Sequence, residues 1–167
     1  NPMRNTVSQD PAVKKILQRV KELELTIKVQ QNKISQLESE SFQLKNLIEN
    51  LPGDIYWKDK NGIWSGVNKR GAQSLNQMGF ITDRSDVIGK SDYQLFSKET
   101  ADEYRKNDLE VMMNKVEITR EEVNNLPNGE TLVQLSAKRP LWDKDGNVVG
   151  VVGVVGNTVD ISYLKNS

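Results

Sequence analysis

The sequence predicts an α+β fold: a five-stranded antiparallel sheet with short flanking helices, preceded by one long N-terminal helix of parallel coiled-coil type. Three observations predict it. A heptad pattern of apolar residues runs through residues 13–51 with no Gly and no Pro. Hairpin and turn signals at Asn61-Gly62, Pro127-Asn128-Gly129 and Lys144-Asp145-Gly146-Asn147 divide the remainder into strand-length runs. The helical segments of that remainder lie together, between two strands and three others, which is the order of an α+β domain.

The boundary between the two parts falls at Pro52-Gly53, a strong breaker pair, and all 11 Gly lie at Gly53 or later. We therefore read residues 1–10 as a flexible N-terminus, 11–51 as the helix, 52–163 as the domain and 164–167 as the start of a linker to a following effector.

Asp10 is placed to cap the long helix, with Pro11 in its first turn. With Val13 at position a, the a positions are Val13, Val20, Ile27, Ile34, Ser41 and Ile48. The d positions are Ile16, Leu23, Gln30, Leu37, Leu44 and Leu51. Ten of these twelve are apolar and the register never slips. β-branched residues at a with Leu at d favour two parallel strands. The flanking pairs Arg19–Glu24, Lys33–Glu38 and Glu40–Lys45 between facing helices are all opposite in sign. Each contributes only ~0.3–0.5 kcal/mol, but together they select orientation and partner. A single amphipathic helix packed on its own domain would tolerate a drifting stripe and arbitrary flanking charges. Gln30 and Ser41 interrupt the seam; they either fix register and oligomeric state or loosen the pair so that it can shift. Leu25, Val29 and Phe42 lie outside it.

In the domain, Ile55–Asp59 and Ile63–Val67 read as a hairpin around Asn61-Gly62. Asn68 is a cap for a short helix carrying Ala72, Leu75 and Met78, with Gly79 at its end. Residues 81–96 read as loop with short helical turns, one capped by Ser91 or Asp92. Ser97 opens a longer helix through a partial capping box, with Tyr104, Leu109, Met112 and Met113 on its apolar face. Strands are expected at 117–124, 131–142 and 148–158.

Composition narrows the function. The 23 basic and 23 acidic residues give zero net charge, and no basic cluster of the kind nucleic acid requires is present. No apolar run approaches the ~20 residues of a membrane span, and no signal-peptide pattern opens the chain. We expect no nucleic-acid partner, no direct membrane contact and a cytoplasmic location. With no Cys and no His, thiol nucleophiles, Cys- or His-ligated metals and His-based triads are excluded.

The order of elements, and the words within them, resemble the PAS domains of bacterial signalling proteins, particularly of sensor histidine kinases. The resemblance covers about residues 46–163. It is carried by Asn50-Leu51-Pro52-Gly53-Asp54-Ile55-Tyr56-Trp57-Lys58-Asp59, Asn61-Gly62, Val67-Asn68, Val87-Ile88-Gly89-Lys90, Pro140-Leu141-Trp142-Asp143, Asp145-Gly146-Asn147-Val148-Val149-Gly150 and Gly153-Val154-Val155-Gly156. Asp160-Ile161-Ser162 is similar to the Asp-Ile-Thr junction through which such domains pass their signal onward. The resemblance implies a non-catalytic sensory and dimerisation module, with a ligand pocket between sheet and helices. Candidate liners are Trp57, Leu75, Tyr93, Phe96, Met112, Met113 and Leu135; the other reading of all seven is ordinary core. Haem held through His and Cys-linked flavin are excluded by composition, leaving a small organic ligand, non-covalent flavin or no ligand. The implied partners are a second copy of the chain and an effector beyond Ser167. A histidine kinase is the expected parent, and a diguanylate cyclase or transcription regulator would use the same input. A ligand-free dimerisation spacer is the other functional reading.

Overall fold

The computed structural model describes residues 9–160, the side chains of 157–160 excepted. Most of the expected flexible N-terminus, Ile161, Ser162 and the linker at 164–167 lie outside the described residues, as does the side chain of Asp160. The chain forms two compact units that divide between Leu47 and Ile48.

Helix α1 spans Pro11–Asn50, 40 residues. Its start is the one its sequence dictates: Asp10 Oδ1 accepts from the Ala12 N–H at 2.8 Å. No residue of α1 is buried. The seam residues Ile16, Leu23, Leu37 and Leu44 are 63%, 45%, 49% and 62% exposed, so the apolar stripe is uncovered.

The second unit holds β1 (Asp54–Asp59), β2 (Trp64–Val67), α2 (Lys69–Gln77), a 3₁₀ turn (Arg84–Asp86), α3 (Asp92–Leu95), α4 (Lys98–Asn114), β3 (Ile118–Asn125), β4 (Thr131–Trp142) and β5 (Val148–Asp160). The five strands form one sheet in the order β2-β1-β5-β4-β3, every pair antiparallel. The last strand therefore returns to the centre, between β1 and β4. Aspartates shape two of the hairpins in the same way. Asp59 Oδ1 accepts from the N–H groups of Asn61 and Ile63, and Asp143 Oδ1 from those of Asp145 and Asn147. Ser97 caps α4, its hydroxyl accepting from the Thr100 N–H.

Asn68 ties the entry of the domain together. It is fully buried and caps α2: its Oδ1 accepts from Gly71 N–H at 2.8 Å and from Ile55 N–H at 3.0 Å. Its Nδ2 donates to the carbonyls of Gly53 at 3.0 Å and Ile48 at 3.2 Å. One side chain thus joins the last turn of α1, the first strand and the first domain helix. Asn68→Ala removes a cap and leaves a buried strand N–H unmet. The expected loss is roughly 2–4 kcal/mol, checked by urea unfolding; a loss under ~1 kcal/mol would show the joint to be dispensable.

The core gathers Tyr56, Trp64, Val67, Leu75, Phe96 and Tyr104 between the inner sheet face and the helices. Its rings meet edge-on, Phe96 with Tyr104 at 5.3 Å and with Phe80 at 4.8 Å. The expected apolar face of α4 requires correction. Tyr104 and Met112 are buried, but Leu109 and Met113 are 38% and 77% exposed, and Asn107 and Asp108 take inward positions instead.

Candidate functional site

Among the described residues, the interior holds five charged side chains. Lys58 comes from β1, Asp92 from α3, Asp108 from α4, Glu122 from β3 and Lys138 from β4; none is more than 4% exposed. The ammonium of Lys58 donates to Asp92 Oδ2 at 2.7 Å and Asp108 Oδ2 at 2.8 Å. That of Lys138 meets Asp108 Oδ1 and Glu122 Oε2, both at 2.9 Å. Trp64 Nε1 donates to the other oxygen of Asp92, Oδ1, at 2.8 Å, and Asn107 Nδ2 shares Glu122 Oε2 with Lys138, at 2.8 Å. Aromatic faces complete the shell, with Lys58 Nζ 5.2 Å from the Tyr56 ring centre and Lys138 Nζ 5.1 Å from that of Tyr104. Buried charges persist only when paired this fully.

The network sets its own titration. Burial alone would push the Asp108 carboxyl up, but the Lys58 and Lys138 ammonium groups outweigh it and hold the carboxyl below its ordinary value. For Lys58, burial opposes the charge and is outweighed by Asp108 and Asp92, so its value rises. Lys138 is raised likewise against burial, by Tyr56, Asp108 and Glu122. A depressed carboxyl contributes stability that is complete above the unfolded value of ~3.9 and lost as pH falls through the folded one. Raised lysines contribute stability that is complete below ~10.4 and lost as pH rises through their folded values. With no His in the chain, the urea midpoint should be flat from about pH 5 to about pH 9 and fall on either side. A step between about pH 6 and 7 would contradict this.

Beside the network lies a cavity of about 50 Å³. Its polar wall includes Lys58, Glu122, Asn124 and Gln134, and its apolar wall Val67, Leu75, Met78 and Phe96. The strand register explains the polar side. Glu122 stands opposite Gln134, and Asn124 opposite Leu132, so the alternating residues of β3 and β4 send their polar set inward.

Of the seven residues expected to line a pocket, Leu75 and Phe96 line this cavity. Met112 is buried outside its lining. Trp57 stands opposite Gly66 across the β1–β2 pair, its ring occupying the space where a side chain at Gly66 would project. Leu135 sits at a register shift between Gln134 and Ser136 and is 42% exposed. Tyr93 and Met113 border an external groove on α4, where the Tyr93 hydroxyl donates to Asp102 at 2.6 Å. The charged five, with Asn124 and Gln134, were not anticipated. The signal for them is polar residues at inward spacing: 134, 136 and 138 along β4, and 107 and 108 along α4, on the face that also carries Tyr104 and Val111.

A five-stranded antiparallel sheet with its helices packed over one face and a small, partly polar cavity between them defines an α+β domain. The chain belongs to the PAS fold family, which matches residues 48–158. No curated protein matches the sequence. Among solved structures, it is similar to a VqmA dimer of Vibrio cholerae, studied in the absence of its target DNA: 19% identity, TM-score 0.59, 74% of this chain and 52% of that one. It is also similar to the PAS domain of an HTR-like protein from Haloarcula marismortui, at 21% identity and TM-score 0.58, covering 78% of this chain and 99% of that one. A sensory box sensor histidine kinase structure from Vibrio cholerae matches at 18% identity and TM-score 0.52, covering 77% and 99%. The chain spans about half the length of the VqmA chains it matches.

Proposed function

We propose that this chain is a non-catalytic sensory and dimerisation module of a signal-transduction protein, with a small organic molecule in the domain as the signal. The observation that carries the reading is the cavity between sheet and helices walled by Glu122, Asn124 and Gln134. Polar groups cost free energy in a core that only fills space, and they suit a site that must hold a polar molecule.

The uncovered heptad stripe of α1 supports a parallel homodimer, since it is apolar, in register and flanked by matched charges. Output would leave through β5. That strand pairs with both β1 and β4 and runs to Asp160, the first residue of the Asp160-Ile161-Ser162 junction. A ligand shifts such an equilibrium only by binding one state more tightly than the other. For the parent we favour a cytoplasmic sensor histidine kinase. Among the described residues no helix is long and apolar enough to cross a membrane. The VqmA neighbours, one of them described as bound to DPO, support a transcription regulator as the second reading, with DNA contacts outside this zero-net-charge chain.

The test is thermal unfolding against a metabolite library. A ligand at a hundredfold its Kd should add about 2.7 kcal/mol and raise Tm by several degrees. No shift with any compound would remove the sensory reading and leave a dimerisation spacer.

A further inference from the structure

We propose that the cavity takes a small uncharged molecule of the carboxamide or urea type, held between Asn124 and Gln134. This rests on the sensory reading above and adds to it the chemical class of the ligand.

Asn124 is 1% exposed and lines the cavity, yet among the described residues no donor reaches its Oδ1. Gln134, 7% exposed and on the same wall, is bonded at long range: its Oε1 accepts from the Tyr104 hydroxyl at 3.4 Å, and its Nε2 lies 3.8 Å from Met78 Sδ. The two are diagonal neighbours on adjacent strands, since Asn124 stands opposite Leu132 and Gln134 opposite Glu122. Diagonal neighbours stand about 7–8 Å apart at the backbone, and both side chains line the same cavity. Each carboxamide offers a donor and an acceptor on one plane. An amide or urea presents the complementary set, and it serves whichever way either side chain is turned.

Charge selects against ions. The interior network carries two lysines and three carboxylates. An anion would enter the field of Glu122 on the wall. A cation would compete with ammonium groups already seated on those carboxylates at 2.7 to 2.9 Å. A neutral molecule meets neither obstacle. Size selects too: one water needs ~10–15 Å³, so a cavity of about 50 Å³ suits a molecule of a few heavy atoms. Leu75, Met78 and Phe96 then cover its apolar edge.

The experiment is an NMR titration of the isotopically labelled full chain with acetamide, urea, acetone and acetate, each to high millimolar concentration. Acetamide and urea should shift the backbone signals of Asn124, Gln134 and Leu75 saturably. Acetone, which accepts but cannot donate, should bind about fivefold more weakly, the effect of one lost hydrogen bond, and acetate more weakly still. Asn124→Val should abolish saturation by acetamide without lowering Tm, because it removes a carbonyl oxygen that no donor among the described residues meets. Gln134→Met provides the same readout from the other side of the cavity. Acetone or acetate binding as tightly as acetamide overturns the ligand class and leaves the sensory reading standing. No saturable shift from any probe overturns the proposal, with the sensory reading then decided by the metabolite screen alone. A fall in Tm of several degrees in Asn124→Val also overturns it, by making Asn124 a structural amide.

Discussion

Replacing Asp108 with alanine is expected to cost about 3–5 kcal/mol, the penalty for breaking a buried charge network by removing one partner. Asp108 is wholly buried and its two oxygens are divided between two lysines, Oδ1 to Lys138 and Oδ2 to Lys58. Truncation leaves both ammonium groups in an interior where they are 1% and 2% exposed. Against a typical total of ~5–15 kcal/mol, the variant should be largely unfolded at modest urea. Asp108→Asn keeps the shape and loses the charge, so it should fall between the variant and the parent. Lys58→Met combined with Asp108→Asn should lose less than the sum of the single changes, with a coupling of ~0.5–3 kcal/mol. A cost under ~1 kcal/mol for Asp108→Ala would mean that Asp92 and Glu122 alone satisfy the two lysines, and that the network is not a unit.

That network also shows where reading the sequence stops. Strand and helix positions in the domain were legible because turn chemistry is local: Asn61-Gly62, the Asn68 cap and Asp145-Gly146 act through their immediate neighbours. Which face of each strand turns inward was not. Alternation along β4 gives two faces, one with Leu135 and one with Gln134, Ser136 and Lys138. Burial of apolar surface argues for Leu135 inside. The structure buries the other set, with Leu135 42% exposed, because Lys138 finds Asp108 and Glu122, and Gln134 faces Tyr104. Those partners lie on other elements and become neighbours only in the fold. The same cause misplaced Leu109 and Met113 of α4, whose inward positions belong to Asn107 and Asp108. Leu75 and Phe96 were legible as liners because an apolar residue facing a core needs no distant partner.

A single carboxylate in the seam of α1 should convert a dimer to a monomer. Leu37 occupies a central d position and is 49% exposed in the single chain. Fully burying a Leu contributes ~1.5–3 kcal/mol; Leu37 starts half-exposed and a dimer buries two, so Leu37→Glu forfeits about 1.5–3 kcal/mol before the two facing charges repel. The lost packing alone weakens association by roughly 10–10²-fold and the facing carboxylates weaken it further, visible by light scattering as a fall from twice the chain mass to once. Leu25→Glu, outside the seam at a residue 64% exposed, should change nothing. Orientation follows from a second substitution. The chain has no Cys, so Ser41→Cys introduces one thiol per chain on a clean background. In a parallel, in-register pair each position a faces its own copy, and oxidation should link the chains almost completely. In an antiparallel pair centred on the helix, Ser41 would face the region of Leu23, far beyond disulfide reach at ~1.5 Å per residue. Efficient cross-linking therefore requires the parallel register that the β-branched a positions and the Arg19–Glu24, Lys33–Glu38 and Glu40–Lys45 pairs encode. A monomeric parent chain at micromolar concentration, or a Leu37→Glu variant that stays dimeric, would remove the coiled coil from the proposal.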